Sequence, residues 1–346
     1  MKPWLLITLC FALTACDGKP KERAVSDLAN IQAKLAFTCA YEKDHLPPIA
    51  PEVEQVYRYA RYVQKSNVLK QDAGVYPELA RLYRIAAANG HYKANFEVRQ
   101  MISKGQADSL DPVKETLDLT EDLIRQGVPG GYYDMGRYIE HGYGVKKSPE
   151  LALRYFRKSA DMGSPEGQFL VGEKLDPIGM APDVAEQMLK CAAEQGHGEA
   201  AVSLAIGYQL HKKYSEAVEA FQLAAKGGAV SGASYLEHAF MGPQADDKLY
   251  YLDQKEDLER SRRYKIIGDT LSSWSYRYPT VPEIDEIVPL PPAKLPPWDG
   301  KIQWLKDHEA NIAPEKPSEA LLTKLAKAKG LDPATGETLT KKSSAS

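Results

Sequence analysis

The sequence predicts an all-α protein, a solenoid of stacked helix-turn-helix hairpins. Three observations predict it. Glycines close helix-like segments at Gly90, Gly127, Gly163, Gly196 and Gly228, at spacings of 37, 36, 33 and 32 residues. Apolar residues recur between them at three-four spacing, the stripe of an amphipathic helix. A single helical hairpin cannot bury its own apolar face, so units of this length must stack on their neighbours.

The first 15 residues read as a signal peptide, residues 1–15. Lys2 precedes an apolar run from Trp4 to Ala15 that is too short to span a bilayer as a mature helix. The run ends in Leu13-Thr14-Ala15-Cys16, which resembles the bacterial lipobox. That resemblance implies cleavage before Cys16, a lipid on its thiol and a lipidated linker over residues 16–25. Acyl chains would then replace the lost apolar segment as anchor. Asp17 resembles the enterobacterial signal for inner-membrane retention, a rule looser elsewhere. The expected place is the periplasm, lipid-anchored to the cell envelope, with the inner membrane favoured. Cys10 leaves with the signal, so Cys39 and Cys191 remain. An oxidising periplasm permits them to pair. Their apolar helical surroundings favour two free, buried thiols instead.

The mature chain divides by pattern. Residues 26–75 read as an N-terminal helical cap. Its first helix, 26–44, carries Leu28, Ile31, Leu35 and Phe37 and is stopped by Pro47-Pro48. Its second, 51–65, carries Val53, Val56, Tyr57, Ala60 and Val63. The repeats occupy 76–245. They open on a second-helix type segment, 76–90, and the clearest unit is 129–163. There a first helix holds Met135-Gly136, a turn holds Gly142-Tyr143-Gly144-Val145, and a second helix holds Ala152, Tyr155, Phe156 and Ala160 before Gly163. A small residue such as Gly136 lets two helices approach closely, and Gly163 stands where a left-handed C-cap is expected. Unit 197–228 has only Lys212-Lys213 for a loop, and in 164–196 Asp176-Pro177-Ile178-Gly179 replaces the glycine turn. In 91–127, Arg99 replaces the small residue. Residues 246–278 read as an atypical helical cap with Leu258, Tyr264 and Ile267. Residues 279–346 read as a Pro-rich extension: polyproline-like chain over 279–300, a short helix from Pro317 to Lys329 and a disordered tail from Lys341. Trp298 and Trp304 are placed to pin the extension back on the repeats.

Unit 129–163 resembles the Sel-like repeat (SLR), a relative of the tetratricopeptide (TPR) repeat. The match is carried by Met135-Gly136, the Gly142–Val145 turn, Ala152, Tyr155-Phe156, Ala160 and Gly163, and more weakly by 164–196 and 197–228. The resemblance implies a right-handed α-solenoid of SLR/TPR-like hairpins whose first helices line a concave side. Carried over by register, it gives the candidate partner-binding residues Glu97, Gln100, Tyr133, Asp134, Arg137, Glu140, Phe169, Glu173, Ile206, Gln209, Tyr235 and His238. Aromatic and Arg side chains beside acids suit a protein interface. Tyr133, Phe169 and Ile206 read equally well as partly core, because a three-four stripe does not separate groove from core.

No catalytic constellation stands out. The sequence holds no GxSxG elbow, no GxxxxGK[ST] loop, no CxxC and no HExxH. Glu140-His141 are neighbours on a helix and point about 100° apart, so they form no dyad by themselves. Neither catalytic residues nor a metal or other cofactor is expected. Lys plus Arg is 44 against 47 Asp plus Glu, with no long basic block, which argues against nucleic acid as partner. Function is then expected on a surface. Phe37–Pro48, Arg58-Tyr59-Ala60-Arg61-Tyr62 and Leu295–Gly300 together resemble a group of SLR lipoproteins of proteobacteria. Members of that group include immunity proteins for type VI secreted phospholipase effectors. The resemblance implies a membrane-anchored protein that neutralises a secreted effector by binding and occluding it. The alternative reading is an envelope scaffold or regulatory adaptor for an endogenous protein.

Overall fold

Proline starts most of the early helices. It takes the first position of α1 (Pro51–Asn67), α4 (Pro112–Arg125), α5 (Pro129–His141), α6 (Pro149–Asp161), α7 (Pro165–Leu175) and α8 (Pro182–Glu194). Its missing N–H has no intrahelical partner there and its φ is already helical. The other helices of the stack are α2 (Tyr76–Ala88), α3 (Tyr92–Ser103), α9 (Gly198–Leu210), α10 (Tyr214–Lys226), α11 (Val230–Ala239) and α12 (Leu258–Ser273). The computed structural model describes residues 35–175 and 181–339. Consecutive helices from α1 to α12 pack on one another, giving a row of stacked helix pairs. Among the described residues the only β pairing is an isolated bridge, Leu331 to Thr338.

Two local devices repeat along the row. The glycines that mark the repeat all have left-handed backbone: Gly90 at φ +91°, Gly127 at +75°, Gly163 at +94°, Gly196 at +90° and Gly228 at +92°. This is the conformation that ends a helix and that a Cβ disfavours. Three residues into each following helix stands a small residue, in turn Ala94, Gly131, Gly167, Ala200 and Gly232. At Gly131, Gly167 and Gly232 an added Cβ would fall within 2.8 Å of the preceding helix. The same logic acts inside the hairpin, where a Cβ on Gly136 would sit 2.6 Å from the Phe156 ring.

The core falls into an N-terminal and a C-terminal cluster, with a smaller group around Phe156 between them. Residues 279–339 join both. Val281, Ile284, Val288 and Ile302 enter the C-terminal cluster beside Phe221, Leu236 and Tyr264. Leu322, Leu325, Ala326 and Leu331 enter the N-terminal cluster beside Val53, Leu79 and Leu82. The extension contains α13 (Ile284–Ile287), α14 (Gln303–Ala310) and α15 (Glu319–Ala328), and α15 packs on α2. Trp298 and Trp304 lie half-buried against the C-terminal cluster.

Buried arginines hold this extension. Arg263 donates to the carbonyls of Ile287 (2.5 Å) and Pro296 (2.7 Å), and Arg260 to those of Pro289 (3.1 Å) and Ala293. A proline-rich chain offers carbonyls and few N–H groups, so its acceptors need donors from elsewhere. At the other end Arg81 donates to the Pro333 carbonyl at 2.6 Å and pairs with Glu319 at 2.6 Å. Arg84 lies 3.7 Å from Glu337 of the extension and also pairs with Glu115 of α4 at 2.7 Å.

Several expectations are corrected. The helix expected over 26–44 does not continue through its described part: residues 36–41 are not helical, and Glu42–Asp44 is a single 3-10 turn. Pro47-Pro48 therefore stops nothing. Residues 279–300 are not one polyproline run, because Val281, Ile284 and Val288 are drawn into the core and α13 forms between them. Leu258 is exposed, since it opens α12 rather than facing the stack. Cys39 and Cys191 are not free thiols but a disulfide with Cα atoms 5.9 Å apart. The signal peptide, Cys16, Asp17, the turn Asp176–Gly179 and the tail from Lys341 lie outside the described residues.

Two outcomes follow from this packing. Gly136→Ala should overpack against Phe156 and cost about 1–3 kcal/mol in denaturant unfolding. Adding Phe156→Leu should then cost less in that background than in the wild-type protein; equal costs in a double-mutant cycle would remove the contact argued for Gly136. Cys39→Ser should lower stability by about 2–5 kcal/mol, read as a shift in the chemical-unfolding midpoint.

Candidate protein-binding surface

The first helices of the pairs, α3, α5, α7, α9 and α11, carry the surface expected to meet a partner. The structure brings its residues together unevenly. On α3, Glu97 pairs with Arg61 of α1 at 2.8 Å and accepts from Gln64 at 3.0 Å. Gln100 beside it is half-buried. On α5, Asp134 pairs with Arg99 of α3 at 2.7 Å. Arg99 is buried and also reaches the Tyr138 hydroxyl at 3.1 Å and the Asn95 side chain at 2.9 Å. The position where the repeat prefers a small residue is thus filled by a cation that bolts two first helices together. Asp134 and Glu97 act within the fold.

Further along, the aromatic candidates rest on their own or an adjacent repeat. The Tyr133 ring lies 5.7 Å from Phe156, Phe169 lies 4.6 Å from His197, and Tyr235 stacks on Phe221 at 4.3 Å. Ile206 is half-buried against the C-terminal cluster. Gln209 donates to the Leu249 carbonyl at 2.9 Å, and His238 stacks on Tyr250 at 4.2 Å. The loop after α11 therefore covers that end of the face. Arg137 and Glu140 pair at 2.8 Å with Lys174 at 4.0 Å from Glu140, and Glu173 is exposed. Phe96, exposed by 47% on α3 with the Arg99 guanidinium 5.9 Å from its ring centre, is an aromatic that register alone passed over.

A segment that sequence reasoning missed lies across the ends of these helices. Tyr41 and Glu42 pass so close to Gly163 that a Cβ there would fall 2.6 Å from the Tyr41 carbonyl carbon. The Ala40 carbonyl accepts from Gln168 at 2.8 Å, the Glu42 N–H donates to Gln195 at 2.7 Å, and the Tyr41 hydroxyl donates to Glu194 at 2.8 Å. The Cys39–Cys191 bond locks the strap onto α8. The Glu42 carboxyl is pushed up to about 7, first by burial and then by Glu166, against a hydrogen bond from the Gly130 N–H. The glycines at helix ends thus serve twice. They take the left-handed turn, and at Gly163 and Gly228 the missing side chain admits another segment, Tyr41-Glu42 in one case and Pro279 in the other.

Two helices of this face begin at histidine. The Nδ1 atoms of His91 and His197 accept the N–H of Ala94 and Ala200, each at 3.1 Å. Accepting on Nδ1 requires neutral imidazole. Burial lowers both pKa values.

With this geometry in place, comparison with known proteins identifies the repeats. The Sel1 repeat model matches residues 129–164 and 166–197. The chain carries Sel1 repeats. A second model, "Domain of unknown function (DUF6396)", matches residues 232–339, which hold most of α11, all of α12 and the extension. No curated protein matches this chain. Among solved structures it is similar to immunity protein Pa5087 from Pseudomonas aeruginosa, with 26% identity and a TM-score of 0.58 over 74% of this chain and 95% of that one. It is similar to immunity protein PA5088 from the same organism, with 26% identity and a TM-score of 0.59 over 74% of this chain and 94% of that one. PA5086 from P. aeruginosa gives 27% identity and 0.56 over 74% and 95%.

The two histidine caps set a pH dependence. A base whose folded pKa lies below its unfolded value stabilises fully above the unfolded value, 6.5 here, and loses that contribution as pH falls through it. His197→Asn keeps a capping acceptor and removes the titration. The variant should lose less stability than the wild-type protein between about pH 7.5 and about pH 5.5 in chemical unfolding. An unchanged pH slope would mean that the cap is not held by neutral imidazole.

Proposed function

We propose that this Sel1-repeat protein is an immunity protein that neutralises a secreted effector by direct binding and occlusion. The observation that carries the reading is its likeness to two P. aeruginosa immunity proteins along nearly their full length. The likeness takes in 74% of this chain, well beyond the two Sel1 repeats matched over residues 129–164 and 166–197. The effector is a phospholipase of the type VI secreted class, a reading supported by the motifs at Phe37–Pro48, Arg58–Tyr62 and Leu295–Gly300. The protein acts in the periplasm, held to the envelope by lipid on Cys16. A lipase delivered there attacks the producer's own membranes, and a tethered binder meets it at that surface, where tethering raises the effective concentration.

The part of the first-helix face open to a partner lies around Arg137, Glu140, Glu173 and Gln100, flanked by Tyr133 and Phe96. Co-expression with a lipase encoded next to it should relieve the toxicity of that lipase, and the purified pair should associate. Arg137→Ala, and Arg137→Ala with Tyr133→Ala, should each weaken the complex, the double variant by about tenfold or more. Full affinity in a folded double variant, judged by circular dichroism, would move the binding surface elsewhere on the protein.

A further inference from the structure

The extension does more than close the fold. Where α14 passes α1 it leaves an open groove of about 1240 Å³. One wall is α1, with Tyr57, Arg58, Arg61, Tyr62 and Lys65; the other is Arg277, Trp304 and His308. Lys70 also lines it, and Asp307 is the single carboxylate of the lining.

The charge of this groove is not balanced by the fold. Arg61 is neutralised by Glu97. Arg58, Lys65, Lys70 and Arg277 are in no ion pair among the described residues, while the chain as a whole is at −3. Like charges crowd there: Lys65 is held below its ordinary value by desolvation, then by Arg61 and Arg277. His308 is lowered by desolvation, then by Arg277 and Lys65. The Nε of Arg277 is buried with no acceptor among the described residues. A buried donor left unsatisfied costs about 1–3 kcal/mol, so an oxyanion that reached it would be favoured. The same guanidinium lies 5.9 Å from the centre of Trp274 and 5.5 Å from that of Tyr276. Trp274 and Trp304 lie 5.9 Å apart, and Trp304 stacks on His308 at 5.2 Å. Cations interleaved with rings make a surface for an anion that carries apolar or aromatic groups.

The size and lining select among such anions. Typical small-molecule pockets span about 300–1,000 Å³, so this groove is larger than a lone phosphate or carboxylate needs. Its aliphatic lining is Val63, Ile312 and Pro314, with Ile312 83% exposed, which leaves no enclosed channel for acyl chains. We propose that the groove between α1 and α14 is a docking site for an acidic, aromatic-bearing polypeptide segment, and that such a segment of the effector occupies it in the neutralised complex. The second half rests on the immunity reading above; the first does not.

The test separates the two. Trp304 lines the groove, so its fluorescence reports occupancy, with Trp304→Phe as the control for signal origin. A random copolymer of glutamate and tyrosine should bind the full-length protein and change that signal, and the affinity should fall as salt rises from about 50 to about 300 mM. Arg58 and Lys65 are exposed, so Arg58→Glu with Lys65→Glu should leave the fold intact and weaken the copolymer by about tenfold or more. Equal binding by the charge-reversed variant would overturn the proposal. So would a preference for phosphatidylglycerol vesicles over the copolymer, which would reassign the groove to a membrane surface. The same variant is then titrated with the lipase. Unchanged lipase affinity sinks the groove's part in the complex and leaves the immunity function standing. Copolymer binding in the groove with no lipase association sinks the immunity reading and leaves the docking site.

Discussion

A row of stacked helix pairs has two open ends, and the apolar face at each must be covered or the stack is neither soluble nor finite. Here one continuous segment, residues 279–339, covers both. It takes Val281, Ile284 and Val288 into the last pairs and Leu322, Leu325 and Leu331 into the first. Solenoids that carry a separate cap at each end leave the ends free to move apart. A single segment that spans them couples the two clusters, so that loosening the first pair also loosens the contacts made along the return path. The buried arginines sit where that path touches the stack: Arg260 and Arg263 on α12, Arg81 and Arg84 on α2. Each donates to backbone carbonyls or exposed carboxylates, because a proline-rich return has few N–H groups with which to extend the helical network.

A second tie acts at the middle of the row. Residues 39–42 cross the ends of α6, α7 and α8 and are held by backbone-directed hydrogen bonds and by the bond from Cys39 to Cys191. The pairs most like the Sel1 pattern are the ones so clamped. This removes freedom from the part of the first-helix face that is still open to a partner. A preorganised surface gives up less entropy on binding than one that must order itself.

The parts of the fold legible in the sequence are those set within a hairpin's length. The helix-ending glycines, the small residues that admit a neighbouring helix and the apolar stripes all follow from contacts inside one hairpin or to the next one. Arg99 shows the limit. By pattern it is a departure from the small residue of the repeat; in the structure it reaches 35 residues on to Asp134 and substitutes a buried ion pair for close helix approach. Cys39 shows it more sharply. Its partner is 152 residues away, and a local apolar pattern holds no information about that distance. Within the expected helix around it, residues 39–42 instead cross the repeats as a strap. The same holds for residues 279–300, whose prolines argued for an extended chain while the apolar residues between them belong to a core assembled elsewhere.

The candidate surface was legible by register but not by availability. Register places Glu97, Asp134, Gln209 and His238 on first helices, as the structure does. Whether such a side chain is open to a visitor depends on what the rest of the chain lays over it. Glu97 and Asp134 are taken by Arg61 and Arg99, and Gln209 and His238 by the loop at Leu249 and Tyr250. A side chain already satisfied inside the fold gains little by exchanging that partner for another, since the exchange returns only the difference between two similar interactions. The groups able to contribute new binding free energy are those whose charge or ring the fold leaves unanswered. By that criterion the arginines and lysines around Tyr62 and Trp304 stand apart from the rest of the molecule, although no repeat register points to them.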